Sequence, residues 1–146
     1  MSLRRLRVGE LLALAGSLLL VVALLEPWYE TPIGTLDAWD TFGPSIVLLL
    51  TALCAALAMV LSALTERSPA LPVASAVWCV PLGLLALVAS VVRVIERPYH
   101  AGSLCAGPWL ALVGSAAVLV GGWLAVRDER PSMYTPASPQ PRARPE

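Results

Sequence analysis

Residues 108–126 read PWLALVGSAAVLVGGWLAV, without a single charged side chain. As a helix rising 1.5 Å per residue, this run is about 28 Å long, close to the ~30 Å hydrocarbon core of a bilayer. Runs of the same character occupy 8–25, 46–64 and 71–94, and Glu10 and Arg93 are the charges inside them. Together the runs predict an all-α integral membrane four-helix bundle over residues 1–126, with antiparallel neighbours. Residues 127–146, rich in Pro, Ser and Arg and lacking apolar periodicity, read as a disordered cytoplasmic tail.

Composition supports this reading. The chain of 146 residues is 58% hydrophobic and 14% charged, against about 45–50% and about 25% in soluble domains. The connecting stretches are too short to bury a soluble core. Formal net charge is zero, so bulk charge argues neither for nor against a polyanion; no nucleic-acid partner is expected. The expected partners are the lipid bilayer and a membrane-protein partner or a second copy of the chain.

Charge distribution sets direction. All ten basic residues are arginine. Arg4, Arg5 and Arg7 precede the first run, Arg67 lies in the 65–70 connection TERSPA, and four arginines follow from Arg127 onward. The 26–43 connection, EPWYETPIGTLDAWDTFG, has none. The positive-inside rule then places both termini in the cytoplasm and the acidic, aromatic 26–43 loop outside an inner membrane. Arg93 and Arg97 run against that trend. The first run is longer than a signal-peptide core and lacks a small-x-small cleavage site, so it is expected to stay as a helix. It should stop near Leu25, because Pro27 disfavours helix in the residue before it. Pro81, inside the third run, predicts a kink near Val77–Pro81.

Residues that carry chemistry are few. Cys54, Cys79 and Cys105 form no CxxC pair, and His100 is the one histidine. No metal site or cofactor is therefore expected. Neither a nucleophile motif nor a P-loop nor HExxH occurs, and the expectation is a protein that is not an enzyme. Lipid is as apolar as leucine, so membrane helices associate through small residues that allow close approach. Gly114, Ala117, Gly121 and Ala125 make such a stripe on the last run, and Gly9, Ala13 and Ser17 make one on the first. They read as helix-packing faces of the bundle. Arg93, on a face with Gly83, Ala86 and Ser90, is expected to clamp the outer loop through Glu26, Asp37, Asp40 or Glu96. Trp28, Tyr29 and Trp39 are candidate partner contacts, or anchors at the membrane interface. An alternative reading makes the chain a small oligomeric transporter or channel using Glu10 or Arg93.

Three short motifs carry a resemblance: Pro27-Trp28-Tyr29 after the first helix, Trp39-Asp40 at the loop's end, and Gly121-Gly122-Trp123-Leu124-Ala125-Val126-Arg127-Asp128-Glu129 closing the last. In these the chain resembles small four-transmembrane-helix proteins of high-GC actinobacteria, over about residues 4–130. The resemblance implies a multi-pass cell-membrane protein, and transfers no catalytic residue. The functional expectation is an accessory or scaffold subunit in the bacterial envelope.

Overall fold

The structure, a computed structural model, describes residues 7–65, 70–97 and 101–128. In chain order it runs α1 (Val8–Leu25), β1 (Tyr29–Thr31), β2 (Gly34–Leu36), α2 (Ala38–Phe42), a 3₁₀ turn over Gly43–Ile46, α3 (Val47–Thr65), α4 (Ala70–Ile95) and α5 (Gly107–Asp128). Four stretches of helix are long and apolar enough to cross a membrane.

Each long helix packs against two others, closing a ring in the order α1, α5, α4, α3. The interior mixes small side chains, with Ala13, Ala23, Ala52, Ala56, Ala76, Ala86 and Ala111 all but fully buried, with the larger Leu20, Leu49, Met59 and Val118. The outward faces carry many large apolar ones, among them Leu18, Trp78, Leu84, Val88, Val113 and Trp123. Large apolar side chains facing outward are compatible with an apolar solvent, and small ones between helices permit close packing.

Glycine makes the α1–α5 contact. A Cβ built on Gly16 would lie 2.7 Å from the Gly114 carbonyl oxygen, and one on Gly121 would lie 2.6 Å from that of Gly9. The two helices therefore touch backbone to backbone and run antiparallel. α4 meets α5 in a similar way, with Gly83 against Leu119 and Gly122 against Cys79.

α1 has the bounds read from sequence, α3 is displaced by one residue, and α4 and α5 extend slightly beyond their runs. α4 starts at Ala70, and α5 reaches Asp128, which takes Arg127 and Asp128 out of the expected tail. The rest of that tail, 129–146, lies outside the described residues. α4 continues as helix through Pro81. Pro81 and Val77 are both on its exposed side, so the proline ring intrudes on no neighbouring helix.

The larger difference is the 26–43 stretch, read from sequence as a connecting loop. It is a folded cap. β1 and β2 pair antiparallel in the register Tyr29↔Leu36, Glu30↔Thr35, Thr31↔Gly34. The far edge of β1 is taken by the segment before α5: Glu30 N–H donates to Ser103 O, Gly102 N–H to Glu30 O and Cys105 N–H to Trp28 O, at 2.7–3.1 Å. Asp37 caps α2 by accepting from the Asp40 N–H at 2.9 Å. Gly43 ends α2 at φ 52°, a left-handed conformation suited to glycine.

Candidate functional site

The cap is built around Trp28. Its indole is fully buried, and its Nε1–H donates to the Ala23 carbonyl at 2.8 Å, supplying a partner to the last turn of α1. Its ring meets Phe42 edge-on, with centroids 4.7 Å apart and planes at 86°. Gly107 provides the slot, since a Cβ there would lie 2.5 Å from Trp28 Cδ1. Tyr29, also fully buried, donates its phenol proton to the Arg93 carbonyl and so ties the cap to the end of α4. Trp28 and Tyr29 are thus unavailable as partner contacts, which corrects the expectation for both. The small residue at 107 makes room for Trp28, and the bond to Arg93 holds Tyr29, so both belong to the cap's own core.

The Arg93 clamp also differs from its expected form. Among the described residues no carboxylate lies within ion-pair distance of Arg93. Its guanidinium instead stands over the Phe42 ring, 5.7 Å from the centroid. Of the expected partners, Asp37 is engaged in capping α2, while Asp40 and Glu96 are exposed and Glu26 is half-buried.

Trp39 remains exposed at 52%, on the side of α2 away from buried Ala38, Thr41 and Phe42. Ile33, at the β1–β2 turn, is 99% exposed. The cap thus presents two exposed apolar side chains, and its Glu30 and Asp40 are exposed as well. At the opposite end of the bundle Glu10 is held locally: its Oε2 accepts the Arg7 backbone N–H at 2.9 Å. The Arg7 guanidinium donates to the Asp128 carbonyl at 3.2 Å, joining the start of α1 to the end of α5.

The helix-packing residues fall on one contact. Gly114 lies against Gly16 and Leu20, Ala117 against Gly16, Gly121 against Gly9 and Ala13, and Ala125 against Gly9. On α1 the partners are Gly9, Ala13 and Gly16. Ser17, expected in that stripe, is buried with its hydroxyl on the Leu14 carbonyl. Gly16 was not singled out, because steps of four pass over a residue seven beyond Gly9. Cys54 is exposed, Cys79 buried and Cys105 partly covered. Among the described residues no group of three His, Cys, Asp or Glu side chains is placed to hold a metal ion.

No family model matches this chain, and neither does any curated protein or solved structure.

Proposed function

We propose that this chain is a multi-pass protein of a bacterial inner membrane. In this reading both termini lie in the cytoplasm, and the protein is a non-enzymatic accessory or scaffold subunit that displays its cap outside. The large apolar side chains exposed along all four long helices support insertion. The 19 steps from Arg7 to Glu26 give charged limits about 28 Å apart along α1, the thickness of a hydrocarbon core. Arginine placement supports the orientation.

The observation that carries the scaffold role is the contrast within the cap. Trp28, Tyr29 and Phe42 are buried, so the fold has places for aromatics, yet Trp39 stands in the open beside Asp40. An exposed tryptophan on an ordered element is an effective anchor for a protein partner. Photo-crosslinking from position 39 in native membranes is expected to capture a discrete partner. Trp39→Ala should lower its co-purification by roughly thirtyfold, the loss of a hot-spot contact worth ~2 kcal/mol. Equal recovery with Trp39→Ala would count against the scaffold reading. Glu10, committed to the α1 N-terminus, lends no support to a transport pathway.

Cys105 reports sidedness. Burial pushes its thiol up from the ordinary range, and the Glu30 carboxylate pushes it further. Thiolate is the reactive form, so a raised value means slow reaction at pH 8 and faster reaction as pH rises. With Cys54 and Cys79 replaced by Ala, a membrane-impermeant maleimide should label Cys105 from the periplasmic side. Glu30→Gln should speed that labelling severalfold at pH 8. Labelling from the cytoplasmic side alone would reverse the orientation.

A further inference from the structure

The cap's sheet ends in an open edge. β1 lies between β2 on one side and the 102–105 segment on the other. The Glu30 N–H donates to Ser103 O, and the Glu30 carbonyl accepts from the Gly102 N–H. Glu30 and its register partner Thr35 are therefore a pair with no backbone bond between them, and the Thr35 N–H and C=O point away from β1. Among the described residues neither group has a partner, and Thr35 is exposed. An open edge of this kind is a template for another extended chain.

Exposed apolar side chains flank that edge. Ile33 stands two residues before Thr35 and Trp39 four residues after it. The Thr35 and Trp39 Cα atoms are thus at most about 14 Å apart, the reach of a four-residue extended segment. One backbone pair gives little affinity alone, so apolar anchors beside it matter. Charge selects the occupant. Residues 26–43 hold Glu26, Glu30, Asp37 and Asp40 and no basic residue. With Glu96, Arg93 and Arg97 from the adjoining chain, five carboxylates stand against two guanidiniums. The Arg93 guanidinium is over the Phe42 ring. Asp40 follows Trp39, Glu30 lies opposite Thr35 in the ladder, and both acids are exposed. Such a rim repels an anionic lipid surface and attracts a basic chain.

We infer that the outer edge of β2, together with Ile33 and Trp39, docks an extended segment of a partner protein in which apolar and basic side chains alternate. Main-chain bonds to the Thr35 N–H and C=O align the segment. Ile33 and Trp39 give it apolar contact, and Glu30 and Asp40 select lysine or arginine over acidic side chains. That the segment belongs to a partner rests on the scaffold reading of the cap; the edge chemistry does not.

The test uses the full-length protein in neutral detergent and two end-blocked synthetic hexapeptides, one alternating valine and lysine, the other valine and glutamate. Calorimetry reads binding, and amide hydrogen exchange reads Thr35. The lysine peptide should bind and slow exchange of the Thr35 amide by about tenfold or more; the glutamate peptide should do neither. Trp39→Ala should weaken the lysine peptide about tenfold. Asp40→Asn should weaken it about threefold, and that difference should vanish at high salt. Thr35→Pro removes the outward donor and leaves Gly34 and Leu36 paired with β1, so it should weaken binding severalfold. An unchanged Thr35 exchange rate at millimolar lysine peptide overturns the site, as does equal binding of the two peptides. The exchange measurement on wild type holds whether or not a variant folds. Crosslinking from position 39 separates the two readings. A partner captured there with Thr35 unprotected by peptide keeps the scaffold and removes the edge site; the converse keeps the edge site and removes the scaffold.

Discussion

Gly16→Val is expected to lower the melting temperature by about 10 °C or more, and the double variant Gly16→Val/Gly121→Val to yield no folded monomer. The argument is steric and local. A Cβ at Gly16 meets the Gly114 carbonyl oxygen at 2.7 Å, the Val118 nitrogen at 2.8 Å and the Ala117 Cβ at 2.9 Å. The first two are backbone atoms of a helix and cannot rotate aside, so α1 and α5 must separate. Overpacking typically costs ~1–3 kcal/mol, and a clash between two backbones belongs at or above the top of that range. Separation also removes the reciprocal close approach of Gly16 and Gly114. In lipid no hydrophobic force pulls the helices back together, because the exposed surfaces are solvated by equally apolar chains. Against a total stability of ~5–15 kcal/mol, two such lesions suffice for collapse. Val120→Ala, on the exposed face of α5, should stay within about 0.5 kcal/mol of wild type. Thermal denaturation in detergent, followed by circular dichroism, checks all three. A wild-type melting curve for Gly16→Val would show that the helices do not meet as described.

The seam also shows what sequence can and cannot carry. The four long helices were legible because length and hydropathy are local properties, and Pro27 and Pro108 punctuate them. The stripe on α5 was legible because its members repeat at helical spacing on one helix. Its partner face was legible in part: Gly9 and Ala13 repeat at a step of four, while Gly16 is chosen by the crossing with α5. The cap lay further out of reach. β1 is three residues long, and its second edge is filled by a segment about seventy positions later. Pairing across that separation leaves little trace in either segment. Trp28 and Trp39 look alike in sequence, both beside acids in one loop, and what separates them is the slot made by Gly107 for one and not the other.

That slot leads to the other large effect. Trp28→Ala should open the cap while leaving the bundle folded. Removing the indole deletes its bond to the Ala23 carbonyl and its edge contact with Phe42. It also empties a fully enclosed volume at the junction of α1, β1 and α5. Large aromatic-to-alanine changes in cores cost ~3–5 kcal/mol, which exceeds what two three-residue strands hold by themselves. The strands depend on Trp28 directly, because its backbone N–H donates to Leu36 and its carbonyl accepts from Cys105. Hydrogen exchange is the discriminating measurement. Amides of Trp28, Glu30, Gly102 and Cys105 should lose protection by about two to three orders of magnitude, the factor that corresponds to ~3–4 kcal/mol of local opening. Amides in the middle of α1 and α5 should keep theirs, since the glycine contacts lie below the cap. Trp28→Phe keeps most of the ring volume and loses the N–H donor, so its effect should be smaller, ~1–3 kcal/mol for one orphaned carbonyl. Trp39→Ala should leave all these amides unchanged. If Trp28→Ala instead exchanged like wild type, the cap would be held by its strands and turns, and the indole would be filler rather than keystone. The same variant bears on Arg93: with Phe42 freed, its guanidinium loses the ring beneath it.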